Sequence, residues 1–162
     1  MKKRNLLSLC VVAAALWLLS ACGAKSSYYQ NQEAIPGAKW DYKFQPVFKV
    51  DINDIKAQYR FYLLIRHDES YPNANFWFRL NLKGPGDKTF KDGPRIQKDL
   101  ADPKGEWLGR GMGGIWEHKI PLSAKEIPQF SKPGTYEIRI EQVMRDNPLP
   151  SVLNVGLIIE KQ

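Results

Sequence analysis

Cysteine and histidine are scarce, with two of each among the 162 residues. His67 and His118 stand far from any cysteine, and a structural zinc site needs four nitrogen or sulfur ligands at defined spacing, so no metal centre is legible. No run of five or six like charges occurs, which removes the footprint that a nucleic-acid surface leaves in a sequence. Ser70, Ser123, Ser131 and Ser151 all lie outside a Gly-x-Ser-x-Gly context, so there is no nucleophile elbow. Gly109-Arg110-Gly111-Met112-Gly113-Gly114 is rich in glycine but lacks phosphate-loop spacing, and an alternating run follows it where a phosphate site needs a helix. It reads as a flexible or tightly curved hairpin connection. Asp51-Ile52-Asn53-Asp54 lacks the spaced ligands of a calcium loop and reads as a turn that ends a strand. With no catalytic constellation, metal or cofactor pattern, the chain reads as something other than an enzyme.

Long apolar runs are also missing after the first two dozen residues. Lys2, Lys3 and Arg4 form a basic start, and Leu6 to Leu19 is an apolar run of 14 residues. That is shorter than the roughly 18 to 20 that span a bilayer as a helix, so it reads as the core of a signal peptide. It ends in Leu19-Ser20-Ala21-Cys22-Gly23, a lipobox pattern in which the cysteine is lipidated and becomes the first mature residue. The expected organisation is a signal peptide over 1–21, a lipidated N-terminus and flexible tether over 22–39, and one folded domain over 40–162. Cleavage takes 21 of the 162 residues, Cys10 and three basic residues with it, leaving 141 residues with 21 basic against 17 acidic side chains. One acylated cysteine allows no internal disulfide, so the domain depends on its core. Chains of about 150 residues bury roughly 68 to 70% of their extended surface, which is enough. Two or more acyl chains hold a protein firmly at a membrane where one does not.

What is abundant is alternation. Tyr59, Phe61, Leu63 and Ile65 share one face against Arg60, Tyr62 and Arg66, with Leu64 the exception. Phe76, Phe78, Leu80 and Leu82 repeat the pattern against Trp77, Arg79, Asn81 and Lys83. The turn-rich stretch from His67 to Asn75 lies between them, and the two runs are expected to form a central hairpin. Trp40 to Ile52 alternates but contains Pro46, which places the proline at an edge, a bulge or a crossing between sheets. Short strands are expected around Lys88–Lys91 and Arg95–Ala101. Ile115–Leu122 follows with Trp116, His118 and Ile120 on one face, and Gly134–Val143 is the clearest late strand. Val152–Glu160 is apolar on both faces, as a central strand would be. About eight such strands with almost no helix predict an all-β fold, an antiparallel β-sandwich of jelly-roll or related type, with a closed barrel as the alternative.

The candidate contact surface follows from the same parity. Tyr62, Arg66, Trp77 and Arg79 project away from the expected core, and exposed Trp, Tyr and Arg dominate interface energetics. A loop of the same domain or a partner covers them. His67 opens the connecting loop and either orients it by hydrogen bonds or contacts a partner, whereas His118, beside Trp116, reads as a core or edge histidine.

Several stretches together resemble the GldH family of gliding-motility lipoproteins of Bacteroidetes. They are Ile65-Arg66-His67, Tyr71-Pro72, Asn75-Phe76-Trp77, Trp107-Leu108-Gly109, Gly113-Gly114-Ile115-Trp116, Glu141-Gln142-Val143-Met144-Arg145-Asp146, Pro148-Leu149-Pro150 and Val155-Gly156-Leu157. The resemblance spans most of the mature domain. It implies a non-enzymatic envelope lipoprotein associated with the gliding apparatus and the linked type IX secretion machinery. The implied contacts are a membrane, through acyl chains such as palmitate on Cys22, and protein partners; no cofactor, metal or nucleic acid is implied. Gly23, in place of an aspartate after the cysteine, suggests by analogy the outer membrane with the domain in the periplasm. The rival reading is a carbohydrate-binding envelope lipoprotein, whose mark is a coplanar exposed aromatic pair such as Trp77 with a neighbouring tyrosine.

Overall fold

The computed structural model describes residues 29–162. The signal peptide over 1–21 and the lipidation residue Cys22 lie outside the described residues. Eleven strands form, in chain order β1 (Tyr29–Ala34), β2 (Lys39–Trp40), β3 (Val47–Ile52), β4 (Tyr59–Asp68), β5 (Asn75–Lys83), β6 (Ile96–Asp99), β7 (Arg110–Met112), β8 (Ile115–Pro121), β9 (Gly134–Gln142), β10 (Leu149–Pro150) and β11 (Val152–Lys161). They build a five-stranded sheet in the order β1-β11-β4-β8-β7, a four-stranded sheet in the order β3-β9-β5-β6, and a small β10-β2 ladder. Every pairing is antiparallel, and the two main sheets stay separate, so the fold is a β-sandwich and not a closed barrel.

The core lies between the inner faces. Phe61, Leu63 and Ile65 of β4 pair in register with Ile159, Leu157 and Val155 of β11, and all six are buried. Opposite them stand Phe76, Phe78 and Leu80 of β5 with Ile138, Ile140 and Tyr136 of β9 and Phe48 and Val50 of β3. Trp40 caps this seam. Its ring stacks on Phe76 at 5.5 Å, and its indole N–H donates to the Phe44 carbonyl at 2.8 Å. The one large polar group on the inner face of β9, Gln142, is satisfied by donating to the Trp40 carbonyl at 3.2 Å and accepting from Met144 N–H at 2.9 Å.

The faces of both long runs fall as their alternation predicts, but the hairpin does not form. β4 pairs with β11 and β8, whereas β5 pairs with β9 and β6, so the two strands lie in opposite sheets. Residues 69–74 carry the chain across the sandwich. Alternation reports that one face is buried, and that demand is met as well by a facing sheet as by a neighbouring strand.

The tether expected over 22–39 also changes. Tyr29–Ala34 runs as edge strand β1 along β11, and Ile35 is buried. An edge strand with exposed Gln30, Asn31, Gln32 and Glu33 carries no apolar period to read. Gly156 lets it approach: a Cβ there would meet the Asn31 carbonyl and lie 2.7 Å from Gln32 Cβ.

Pro46 sits immediately before β3, an edge strand, and separates it from β2, which belongs to the small ladder. The polar strand expected at Lys88–Lys91 reduces to a single bridge between Lys91 and Leu82. Arg110–Met112 and Ile115–Pro121 form a hairpin turning at Gly113 and Gly114, whose φ of 60° and 77° suits glycine. β11 lies between β1 and β4 with Leu157, Ile158 and Ile159 all buried, in keeping with its apolar run.

Replacing Phe78, which has no exposed surface, with Ala is expected to cost about 3 to 5 kcal/mol in urea unfolding. A loss below about 1 kcal/mol would contradict the assigned core.

Candidate functional site

The outer face of the four-stranded sheet carries Trp77 and Arg79 on β5. β9 ends at Gln142, and the chain beyond it crosses the end of this face. Val143 N–H donates to the Trp77 carbonyl at 3.0 Å, and the Trp77 N–H donates to Met144 Sδ at 3.1 Å. Both backbone groups of Trp77 are thereby satisfied, and the loop is fixed against the strand. The Tyr42 hydroxyl donates to the Met144 carbonyl at 2.7 Å, and Tyr42 N–H donates to Asn147 Oδ1 at 2.8 Å, securing the same loop from the other side. The peptide bond between Asn147 and Pro148 is cis.

These pieces enclose a cleft of about 450 Å³ with Asn73, Asn75 and Trp77 on one side and Met144, Arg145 and Asp146 on the other. It continues past Arg95 and Val143 into a second hollow of about 440 Å³ beside Tyr42, Arg79 and Glu141. The Arg95 guanidinium lies 5.3 Å from the Trp77 ring centroid and donates to the Val143 carbonyl at 3.3 Å. Asn73 Nδ2 and Arg79 Nε are buried with no protein acceptor. Two desolvated donors, Asn73 from the connection before β5 and Arg79 from β5 itself, thus lie along the Trp77 face with the Trp77–Arg95 stack.

A second cluster is wholly internal. His67 and His118 meet through their Nε2 atoms at 2.9 Å, and His67 Nδ1 lies 2.7 Å from the Asp68 carbonyl. A carbonyl only accepts, so Nδ1 of His67 carries the proton, its Nε2 accepts, and His118 Nε2–H donates. Trp107 packs edge-on to the His67 ring at 4.4 Å and Tyr71 lies 5.0 Å away. Gly109 lies against the His118 ring, 2.9 Å from Cδ2 and Cε1 for an added Cβ. Burial, and secondly His67, holds His118 down at about 4; burial also lowers His67 and pushes the Tyr71 phenol up. No group of three His, Cys, Asp or Glu residues converges among the described residues, and the pair makes a buried N–H···N contact.

The five residues expected to form one contact surface are divided by the split of β4 from β5. Tyr62 and Arg66 lie on the outer face of the five-stranded sheet, Tyr62 beneath the Lys119 ammonium at 4.1 Å and Arg66 paired with Glu117 at 3.6 Å. Trp77 and Arg79 lie on the opposite side of the sandwich. His67 is fully buried and so is not part of the outer surface; it shares the parity of Phe61, Leu63 and Ile65 and therefore points inward. His118 is a core histidine, as its place beside Trp116 suggested. Asp54 accepts from Lys56 N–H at 3.0 Å and pairs with Lys161 at 3.2 Å, which is turn chemistry. Arg95, Met144 and Arg145 were missed as groove residues because loops have no period; the only signal was that Met144 and Arg145 fall in a stretch carrying the family resemblance.

Two antiparallel sheets, with a groove lined by Trp77, Arg95 and Arg145 on one outer face, define an all-β sandwich. Residues 27–159 match the family described as GldH lipoprotein, and the chain belongs to that family. It is 30% identical to the gliding motility lipoprotein GldH homolog of Christiangramia forsetii, covering 98% of each chain. It is 24% identical to gliding motility lipoprotein GldH of Flavobacterium johnsoniae, over 94% of this chain and 95% of that one. Among solved structures it is similar to a non-crystalline cellulose specific carbohydrate-binding module, CBM28, with a TM-score of 0.47, 8% identity and coverage of 82% and 73%. The infectious bursal disease virus VP2 subviral particle matches with a TM-score of 0.31 and 15% identity over 81% of this chain and 29% of that one. Likeness at this level says nothing of what the chain binds. Family membership makes it a gliding-motility lipoprotein of the cell envelope, held to a membrane by lipid.

The histidine pair makes stability depend on pH. The folded state holds His118 at about 4 against an unfolded value of 6.5, so the unfolded chain takes up the proton first as pH falls. Stability is complete above about pH 6.5 and declines below it, with a slope of up to about 1.4 kcal/mol per pH unit for one proton. Urea midpoints measured at pH 7 and pH 5 are expected to fall at the lower pH, and an unchanged midpoint would contradict the neutral buried pair.

Proposed function

We propose that this chain is a non-enzymatic outer-membrane lipoprotein, acylated on Cys22, whose periplasmic domain serves as a component or assembly factor of the gliding apparatus and the linked type IX secretion machinery. The observation that carries the reading is the groove beside Trp77. Arg95 stacks on the Trp77 indole, Arg145 lines the same cleft and Arg79 the adjoining hollow, and Asn73 Nδ2 and Arg79 Nε are buried without a protein acceptor. That chemistry suits a protein segment that presents carboxylates or backbone carbonyls. The gliding-motility names of the relatives support the apparatus in which the partner is to be sought. The sugar-binding alternative is less favoured, because the Arg95 guanidinium lies over the Trp77 ring.

Deleting the gene in its native host is expected to abolish colony spreading and to change the secreted-protein profile. Complementation with Trp77→Ala/Arg79→Ala should fail while Tyr62→Ala restores both. Intact spreading and secretion after deletion, with no envelope partner recovered by pull-down, would refute the assignment. Cys22→Ala should leave a folded domain that takes up no label from radioactive palmitate, and continued labelling would show that acylation lies elsewhere.

A further inference from the structure

The chain between the acylation residue and the fold is short. Cys22 precedes Tyr29, the first residue of β1, by seven positions. Seven residues span at most about 25 Å when fully extended, less than the roughly 33 Å of a ten-residue strand such as β4 or β11. The end of the sandwich where β1 begins is therefore the end nearest the bilayer. Tyr29 pairs with Ile159, and Ile159 pairs with Phe61, so β4 begins two strands away at the same end.

An apolar groove opens at this end. It has a volume of about 500 Å³ and lies between the loop after β3 and the loop after β8. Ile55, Tyr59, Ile127, Pro128 and Phe130 line it above the buried Phe61. Ile55 is 42% exposed, a large apolar side chain at a loop tip. The charges around it are sorted. The loop carboxylates are engaged, Asp54 by Lys161 at 3.2 Å and Glu126 by Lys98 at 2.8 Å. Lys56 and Lys125, next to Ile55 and Ala124, are exposed and form no ion pair among the described residues. Apolar side chains rimmed by unpaired lysines complement a bilayer, whose acyl boundary takes the former and whose phosphates take the latter.

We infer that this end of the sandwich docks on the phospholipid surface that holds the anchor, with Ile55 and the Ile127–Phe130 loop entering the headgroup boundary and Lys56 and Lys125 meeting lipid phosphates. The inference rests on acylation of Cys22. It directs the opposite end, where Asn73, Arg145 and Asp146 open the Trp77 groove, away from the membrane and toward the periplasm.

The mature chain has no cysteine besides the acylated one, so a single introduced thiol takes a fluorescent label. Full-length lipidated protein carrying Ile55→Cys, or Lys104→Cys in the turn at the far end, is reconstituted in phosphatidylethanolamine–phosphatidylglycerol vesicles. The label at 55 is expected to shift to shorter wavelength and to lose emission to brominated lipid, while the label at 104 does neither. Adding Lys56→Glu/Lys125→Glu should reduce the quenching at 55. Equal, water-like emission from both labels in protein that floats with the vesicles and shows an acylated N-terminal peptide by mass spectrometry would overturn docking and leave the anchor intact. A blue shift at 55 without bromolipid quenching would place the protein's own acyl chain in the groove and also overturn it. Protein without acyl chains would remove the anchoring reading and, with it, the reason for this orientation.

Discussion

The structure depends on the face-to-face contact between β4 and β5, consecutive strands that lie in opposite sheets. Phe61, Leu63 and Ile65 project from one, Phe76, Phe78 and Leu80 from the other, and the remaining inner strands pack around them. The described residues contain no cysteine, so no disulfide joins them and this seam supplies their cohesion. Burying each such side chain contributes about 1.5 to 3 kcal/mol. The buried polar side chains His67, Asn81, His118 and Gln142 each find a partner, which keeps the desolvation cost of burial low.

That arrangement also separates the outer faces of the two strands. Because β4 and β5 back onto each other, their outer faces point to opposite sides of the molecule. The Tyr62 and Arg66 face is occupied by Lys119 and Glu117. The Trp77 and Arg79 face receives the loop after β9, held by Met144, Tyr42 and Arg95, and becomes a groove instead. Its floor is a central strand and its walls are loops, so Trp77 and Arg79 are positioned by the rigid part of the fold while the rim, Asn73 included, is free to vary.

Much of this was legible in the sequence. The buried sets of β4, β5, β9 and β11 could be read from period-two alternation, because each strand has one or both faces against the core. The edge strand β1 could not be: its side chains are solvated and its stability comes from backbone pairing across Gly156, which leaves no hydrophobic period. The partner of a strand is likewise invisible, since β4 satisfies its pattern equally in a hairpin or against a facing sheet. His67 was misplaced although its parity with Ile65 pointed inward; the turn-favouring residue types beyond it, from Asp68 to Asn73, obscured that the strand extends to Asp68. Half of the groove, Trp77 and Arg79, followed from parity. Its other half comes from loops brought together only by tertiary contacts, and no local rule places them.

The central claim is that the Trp77 and Arg79 face holds an envelope protein. Site-specific photocrosslinking in the native host tests it most directly, with a photoreactive residue placed at Arg79 in one strain and at Tyr62 in another. Crosslinking of a discrete envelope protein from position 79 and not from position 62 is the expected result. Crosslinks from 62 alone, or from neither position in cells that spread normally, would contradict it.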